Sequence, residues 1–275
     1  MICAWKEFLG ILPLWMRADI EEIGKETLLE LRLRVNSPPE LVLSCTVQYL
    51  RRKVTEQDLT QCINAASRYS PWSAATAAKG YITAPGGHRI GLCGTAACHN
   101  GKITGIRNLS SLCIRVARDF PGIAAAVPPL SASVLILGAP GWGKTTLLRD
   151  LCRQISRDYQ ICVMDERGEL FPEGIPRGTR MDVLSGCPKT EGIEILLRTM
   201  GPQYIAVDEI TAEEDCHALI HCANCGIHLL ATAHAASMDD YLNRPTYIPL
   251  IRQNIFRNIL LLRPDRTFTL ERMTQ

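Results

Sequence analysis

The chain has 275 residues, of which 47% are hydrophobic, so it is long enough to bury the core of one large domain or two modest ones. Its 30 basic and 28 acidic residues leave a formal charge of only +2, and no segment carries a block of like charge. The charge therefore argues against a nucleic-acid or acidic-lipid binding tail and identifies no partner.

The cysteines and the apolar segments bear on the compartment. Twelve cysteines occur singly in stretches such as IGLCG and YQICVMD, which is typical of small buried side chains in a reducing compartment. The N-terminus lacks the features of a signal peptide. Residues 122–140 are interrupted by prolines and serines and fall short of the roughly 20 apolar residues that a spanning helix needs. We expect a cytoplasmic protein that meets a membrane only through partners.

Residues 1–120 are predicted to form a small α+β domain. LRLRV alternates as a strand does, and Thr55 begins an amphipathic helix. The pairs Gly86-Gly87 and Asn100-Gly101 lie between strand-like segments and favour hairpins that require positive φ.

Residues 121–275 are predicted to form an α/β domain. The short apolar segments SVLIL, ICVMD, YIAVDEI and HLLATAH alternate with helices, as in a mostly parallel sheet buried on both faces. The tail NILLLRPDRTFTLERM predicts a closing hairpin that turns at Pro264-Asp265. Ligands of such sheets bind at the carboxyl ends of the strands.

The segment GAPGWGKT, residues 138–145, matches G-x-x-x-x-G-K-[ST] between a predicted strand and a predicted helix. Its glycines turn backbone N–H groups toward a phosphate, and the helix directs its positive N-terminus at the same charge. Lys144 would neutralise the β- and γ-phosphates of ATP, and the Thr145 hydroxyl would bind Mg²⁺. A chance glycine-rich turn is the alternative. The predicted nucleotide-binding residues are Gly138, Ala139, Pro140, Gly141, Trp142, Gly143, Lys144, Thr145 and Thr146.

The strand YIAVDEI ends in two adjacent acids. We assign Asp208 to the Mg²⁺ shell and Glu209 to the attacking water. The alternative is a pair of acids that caps a helix beginning near Thr211. A water-activating acid serves hydrolysis and not phosphoryl transfer to a small molecule, so the pair favours an ATPase.

Polar residues also end two neighbouring strands. Thr232 and His234 follow the strand HLLATAH, where His234 is predicted to sense the γ-phosphate, although an isolated histidine is more often structural. Asp165 and Glu166 end ICVMD, and a solvated turn is an equal alternative there.

Together, GAPGWGKTTLLRD, VMDERGEL, IAVDEI and HLLATAHA resemble the ATPases that power type II and type IV secretion. Within that superfamily the N-terminal segments ELRLRVNSPPEL, GYITAPGGHRIGLCG and GIRNLSSLCIRVARDF are similar to the stage III sporulation AA family. The resemblance implies a RecA-like P-loop domain with a mostly parallel sheet, preceded by a smaller α+β domain. It also implies a set of motifs: Walker A at Lys144 and Thr145, Walker B at Asp208 and Glu209, an aspartate box at Asp165 and Glu166, and a histidine box at His234 but not His228.

The resemblance further implies an ATP-hydrolysing motor of a secretion-like, envelope-spanning complex in sporulation, a channel from mother cell to forespore. Its ligands would be ATP and Mg²⁺, its assembly a homo-hexamer, its partners membrane proteins of that complex, and its place the inner face of the mother-cell membrane. The alternative is an ATP-dependent nucleic-acid loader or helicase-like protein, since RecA-like domains occur both in secretion motors and in nucleic-acid motors. That function calls for a basic stripe, so no nucleic acid is expected. A nucleotide-gated scaffold with negligible turnover is a third possibility.

Two further groups of residues are candidates for a functional role. Four arginines of the N-terminal half, Arg89, Arg107, Arg115 and Arg118, are candidates to meet charge on the γ-phosphate, and the resemblance favours Arg89 and Arg115 as catalytic residues. His217, His221 and Cys225 recur at helical spacing beside the pair Cys222 and Cys225, which suggests zinc. A single CxxC is a weak signal, and buried core thiols are favoured.

Overall fold

The computed structural model describes residues 1–67, 80–130 and 132–273, apart from the side chain of Lys102. They fall into two compact units. The first unit comprises residues 1–119 and 172–175, and the second comprises residues 120–171 and 176–275. The short segment 172–175 belongs to the first unit, where Pro172 packs directly against Gly87.

The first unit is built on a six-stranded antiparallel sheet of order β3-β2-β1-β6-β5-β4. Its described strands are β1 Leu28–Arg34, β2 Glu40–Leu43, β3 Val47–Tyr49, β4 Tyr81–Thr83, β5 Arg89–His99 and β6 Lys102–Arg115. Its described helices are α1 Trp5–Ile11, α2 Leu14–Ile23 and α3 Glu56–Ser67. The core consists of Phe8, Met16, Leu31, Leu59 and Ile90 with their neighbours, so the helices pack on one face of the sheet.

Local chemistry explains the ends of these elements. Thr55 caps α3, because its hydroxyl accepts from the Asp58 N–H at 3.2 Å while its own N–H donates to the Asp58 carboxylate at 2.8 Å. Asn100 and Gly101 have φ of 47° and 73° and join β5 to β6, as the hairpin prediction required.

The second unit contains a seven-stranded sheet of order β13-β12-β7-β11-β10-β8-β9, parallel except for the β12–β13 pair. Its strands are β7 Val134–Leu137, β8 Ile161–Asp165, β9 Met181–Ser185, β10 Tyr204–Ile210, β11 His228–Ala233, β12 Asn258–Leu262 and β13 Phe268–Arg272. Its α-helices are α4 Lys144–Ile155, α5 Lys189–Met200, α6 Glu213–Asn224, α7 Met238–Asn243 and α8 Ile248–Arg252. The predicted strands and the closing hairpin are confirmed, whereas the sequence analysis did not identify β9.

Helices cover both faces of this sheet. Helices α5 and α6 share a core with alternate residues of the strands, among them Leu135, Ile205 and Val207. Helix α4 packs against the same strands but outside that core, so it covers the other face. Because parallel strands are buried on both sides, they read as continuous apolar runs.

The cysteine prediction is only partly correct. All twelve cysteines lie in described residues and are free thiols, and five are buried, namely Cys62, Cys152, Cys162, Cys216 and Cys222. Cys45, Cys93, Cys98 and Cys225 are exposed. Within the described residues, no helix combines the length and the apolar character that crossing a membrane requires.

Candidate active site

The glycine-rich loop joins the carboxyl end of β7 to the first residue of α4. Gly141 and Gly143 have φ of 80° and 97°, which L side chains rarely adopt. A Cβ at Gly138 would lie 3.2 Å from the Cβ of Leu262, a tight contact that would require Leu262 to shift by a few tenths of an ångström. Trp142 is half-buried and packs toward Gly138. The loop therefore has the main-chain shape of an anion-binding nest.

The Lys144 side chain is buried, with only 7% of its surface exposed. Its ammonium donates to the carbonyl of Gly138 at 2.8 Å, to that of Ala139 at 3.1 Å and to Nδ1 of His234 at 3.0 Å. Burial lowers the pKa of Lys144 below its ordinary value, and the charges of Asp208 and Glu209 oppose this shift. The lysine is thus held inside the loop, pointing across it to the end of β11.

Strands β10 and β11 bring the predicted acids to the same place. The Thr145 hydroxyl donates to the Asp208 carboxylate at 3.0 Å, and the Thr232 hydroxyl donates to its other oxygen at 2.7 Å. Thr146, the next residue of α4, is half-buried. Asp208 therefore lies between the start of α4 and the end of β11.

Glu209 has an unusual backbone. Its φ is +56°, and it lies in a bulge where the pairing of β10 with β11 shifts between Val207 and Ile210. A left-handed conformation costs an L-residue about 1–2 kcal/mol, and such strain concentrates at functional sites. The Glu209 N–H donates to Thr232 Oγ1 at 2.8 Å, and its carbonyl accepts from Lys189 Nζ at 2.7 Å.

The Glu209 carboxylate also has two partners. One oxygen is 2.9 Å from Nε2 of His234, and the other accepts from Arg167 at 3.0 Å. The alternative in which Asp208 and Glu209 cap the next helix is wrong, because Asp215 performs that role. Asp215 accepts from the N–H groups of Thr211 at 2.9 Å and Ala212 at 3.3 Å.

Asp165 differs from the solvated turn that the sequence also allowed, whereas Glu166 lies in a turn and is half-buried. Asp165 is buried and accepts from the N–H groups of Glu169, Leu170 and Phe171 at 2.9, 2.9 and 3.1 Å. Burial raises the pKa of Asp165, although these three N–H groups oppose the shift. Glu166 lines a small polar pocket together with Arg167, Lys189, Asp208 and Glu209. Asp165 therefore shapes the loop that presents Glu166 and Arg167 to that pocket.

Three residues of this cluster were missed. Arg167 binds the Glu209 carboxylate, Lys189 binds its carbonyl, and Asp215 binds Lys189 at 2.9 Å. Burial alone would raise the pKa of Asp215, but its bonds from Thr211 and Lys189 more than offset this and hold the pKa below its usual value. One signal was present in the sequence: Lys144 and Lys189 are the only lysines in residues 120–275.

The chain is similar to known proteins over most of its length. It matches the family described as "Sporulation stage III, protein AA" over residues 6–269. The chain belongs to this family. It is 36% identical over 276 residues to "Stage III sporulation protein AA" of Bacillus subtilis (strain 168), in an alignment that covers 93% of this chain and 90% of that protein.

Two solved structures resemble this member of the sporulation stage III AA family in fold. The Legionella pneumophila ATPase DotB has a TM-score of 0.62 at 16% identity and covers 94% of this chain and 79% of its own. The pilus retraction motor PilT, solved with bound ADP, has a TM-score of 0.63 at 15% identity, with coverages of 94% and 81%. Identity this low shows the fold alone. The shared fold confirms the predicted class, a RecA-like domain with a mostly parallel sheet preceded by a smaller α+β region.

The four candidate arginines all lie in the first unit. Arg89 and Arg115 are register partners on β5 and β6. Arg89 stacks over the Tyr81 ring at 4.4 Å, and Arg115 pairs with Glu30 at 3.3 Å. Arg118 donates to the Leu28 carbonyl. Arg107 lies within β6.

The histidine and cysteine cluster on α6 is divided between core and solvent. Cys222 is buried, whereas His217 and Cys225 are exposed. The prediction of a buried thiol is therefore wrong for Cys225. In the part of the chain that the structure describes, no three His, Cys, Asp or Glu side chains come together as a metal site would require. The His228 ring packs at a tilt against the Tyr204 ring, with centroids 5.0 Å apart, at the start of β11 and thus at the opposite end from His234.

The second unit fits a magnesium-bound triphosphate in two respects. Its loop carries two glycines of positive φ around a buried lysine, an arrangement whose main-chain N–H groups suit phosphate oxygens. The Thr145 hydroxyl and the Asp208 carboxylate supply adjacent oxygen ligands, which Mg²⁺ prefers. Neither feature depends on which nucleobase the triphosphate carries.

Proposed function

We propose that this protein binds Mg-ATP at residues 138–146 and hydrolyses it, as the motor of a secretion-like, envelope-spanning complex in sporulation. The observation that carries the proposal is the hydrogen-bonded chain from Lys144 through His234 to Glu209. It joins a phosphate-binding lysine to a carboxylate suited to activate water. The family description, "Sporulation stage III, protein AA", supports the cellular context. The fold shared with an ATPase and with a motor solved with ADP supports the activity.

Each residue has a proposed task. Gly138 to Gly143 cradle the phosphates with main-chain N–H groups, and Trp142 packs beside them. Lys144 neutralises the β- and γ-phosphates, and Thr145 and Asp208 hold Mg²⁺, with Thr146 continuing the phosphate contacts of α4. Bound there, Mg²⁺ would neutralise charge on the phosphate oxygens.

The chain's own groups prepare the water. Glu209 accepts the proton of the attacking water, since its carboxylate is an ionisable acceptor at the end of β10. His234 orients that carboxylate and responds to the γ-phosphate through Lys144. The Thr232 hydroxyl donates to the Asp208 carboxylate and accepts from the Glu209 N–H. It thereby couples the position of the proposed metal ligand to that of the proposed general base.

The larger assembly rests on the resemblance. We propose a homo-hexamer on the cytoplasmic side of the mother-cell membrane, attached through membrane-protein partners that form a channel to the forespore. Residues 1–120 would act as an N-terminal domain and residues 121–275 as the ATPase domain. Arg89 and Arg115 would meet the charge that develops on the γ-phosphate.

Turnover of the purified, magnesium-supplied protein tests the proposal. Steady-state phosphate release and fluorescent-nucleotide binding are measured for the parent and for Glu209→Gln. We expect Glu209→Gln to retain ATP binding and to stall hydrolysis. Parental turnover in Glu209→Gln would show that another group activates the water, and a parent without affinity for adenine nucleotides would exclude the function altogether.

The cellular role needs a separate experiment. Expressing Glu209→Gln in the sporulating host should stop development after engulfment if ATP hydrolysis powers the complex. The nucleic-acid alternative is disfavoured by the formal charge of +2. It would be supported instead if ATP hydrolysis rose severalfold on adding single- or double-stranded DNA and if DNA binding weakened steeply with salt.

A further inference from the structure

A second buried lysine lies beside the proposed active site. Lys189 is the first residue of α5, and 6% of its surface is exposed. A cation at a helix N-terminus opposes the helix dipole, and a buried ammonium loses its hydration. This position therefore requires strong partners close to the ammonium.

The partners come from the segment that follows β10. Lys189 Nζ donates to the Glu209 carbonyl at 2.7 Å and to Asp215 Oδ2 at 2.9 Å, and Glu166 lies 4.0 Å away. Asp215 Oδ2 also accepts from the N–H and the hydroxyl of Thr211, at 2.9 and 3.1 Å. The ammonium thus ties the start of α5 to the turn between β10 and α6.

Glu209 is the residue that needs such a tie. Its left-handed φ of +56° persists only if the surroundings hold it there. Thr232 holds its N–H, and Lys189 holds its carbonyl. Rotation of either peptide group would swing the carboxylate away from His234.

The choice of lysine fits this task. Residues 120–275 contain two lysines, and every other permanently cationic side chain there is arginine. Both lysines begin helices, both are buried, and both reach Glu209, Lys144 through His234 and Lys189 through the main chain. A compact ammonium can donate to a carbonyl and a carboxylate at an angle, which the flat guanidinium fork does less well.

We propose that Lys189, anchored by Asp215, is a positioning residue that holds the Glu209 backbone in the conformation needed to activate water. It acts through its hydrogen bond to the Glu209 carbonyl. The inference rests on the proposed ATPase function and adds a residue to it.

The test compares Lys189→Met with Glu209→Gln and with the double variant, all in full-length protein. Because a misplacement of about 1 Å can cost about 100-fold in rate, we expect Lys189→Met to lower kcat about 10- to 100-fold. Its Kd for a non-hydrolysable ATP analogue should stay within about threefold of the parent. Single-turnover hydrolysis should show that Lys189→Met adds no further loss to Glu209→Gln, since residues acting as one unit are non-additive.

Matched variants separate positioning from loss of charge or fold. Arg198→Met removes an exposed cation from the same helix and should keep the parental kcat. If Lys189→Met does not fold, Asp215→Asn carries the test, with lower kcat and unchanged Kd expected. Its control is Glu214→Gln, an exposed acid one residue away, which should keep the parental rate.

Parental kcat in the folded variant, a parallel fall of affinity and kcat, or a multiplicative loss in the double variant would each overturn the role of Lys189. If Glu209→Gln stalls while Lys189→Met turns over normally, only this inference fails. If the parent does not hydrolyse ATP, the proposed function and the inference fail together.

Discussion

The Lys144 ammonium and the Glu209 carboxylate are bonded to opposite nitrogens of one imidazole, that of His234, at 3.0 and 2.9 Å. Because an ammonium can only donate, Nδ1 must accept from it, and Nε2 must therefore carry the proton that it donates to Glu209. The relay thus requires the His234 tautomer that carries its proton on Nε2. Binding of phosphate oxygens to Lys144 would therefore alter the hydrogen bonding of Glu209 through the two hydrogen bonds of His234.

Removing the imidazole should separate these two groups. We expect His234→Ala to lower kcat about 10- to 100-fold with little change in nucleotide affinity, because positioned acid–base groups contribute 10²–10⁴-fold and Glu209 itself remains. Steady-state hydrolysis and equilibrium binding measure the two effects. His228→Ala, at the other end of β11, is the control, and equal kcat in both variants would contradict the relay.

Lys144→Ala should act on binding. Charge-assisted hydrogen bonds contribute about 1.5–3 kcal/mol each, so losing the contacts of Lys144 with the phosphates should weaken ATP affinity about 100-fold or more. Fluorescent-nucleotide titration gives the Kd. Arg157→Ala, which removes an exposed cation just after α4, should bind as the parent does. An unchanged Kd for Lys144→Ala would exclude the loop as the phosphate site.

Asp208→Asn should raise the Mg²⁺ concentration required for half-maximal hydrolysis about tenfold, because it replaces a charged oxygen ligand by a neutral one. Magnesium titrations at fixed ATP measure this shift, and a chelator should abolish turnover in the parent. Asp239→Asn, an exposed acid of α7, should leave the titration unchanged. If Asp208→Asn also left it unchanged, Mg²⁺ would have to be held elsewhere.

Arg89→Ala and Arg115→Ala test the proposal taken from the resemblance. An arginine that meets charge on the γ-phosphate contributes about 10³–10⁵ in rate, so each variant should lose about 10³-fold in kcat. Arg107→Ala, on the exposed part of β6, should turn over normally. Parental rates in all three variants would remove both arginines from the catalytic set.

The first unit contains a separate pH-sensitive contact. His88 is fully buried, with Nε2 2.9 Å from the Ala4 carbonyl and Nδ1 accepting the Ala117 N–H at 3.1 Å. Burial lowers the pKa of His88, opposed by the Ala4 bond and the charge of Glu7. The neutral ring is therefore the one that stabilises the fold.

The sign of its effect follows from that shift. Stability from His88 is fully present above the unfolded pKa of about 6.5 and is lost as the pH falls through the lower folded pKa, by at most about 1.4 kcal/mol per pH unit. Urea unfolding between pH 7.5 and 5 should show this loss. His88→Gln should flatten the profile, whereas the exposed control His99→Gln should not.

Short-range patterns allowed much of the fold to be predicted. Strands β7, β8, β10 and β11 are largely apolar runs because both faces of the sheet are covered. The turn at Asn100-Gly101 requires positive φ at both residues, and asparagine and glycine tolerate that conformation. Strand β9 was missed because MDVLS is partly exposed at the sheet edge and lacks an apolar run.

The positions of Asp208 and His234 were predictable, because each stands at the carboxyl end of an apolar strand of the same parallel sheet. Lys189, at the start of α5, and Arg167, in the turn after β8, lie 20 and 42 residues from Glu209 in the sequence, so no local pattern connects them. The left-handed backbone of Glu209 likewise depends on tertiary partners. Propensity alone would favour glycine or asparagine there.

The scarcity of lysine in the second unit has a practical use. An amine-acylating reagent would find only two ε-amino targets in residues 120–275, and both are shielded by the groups they hold. Mass-spectrometric footprinting of those two peptides would therefore follow the phosphate loop and the Glu209 turn separately within one sample. Adduct yield at each would report whether that part of the second unit loosens when nucleotide is added.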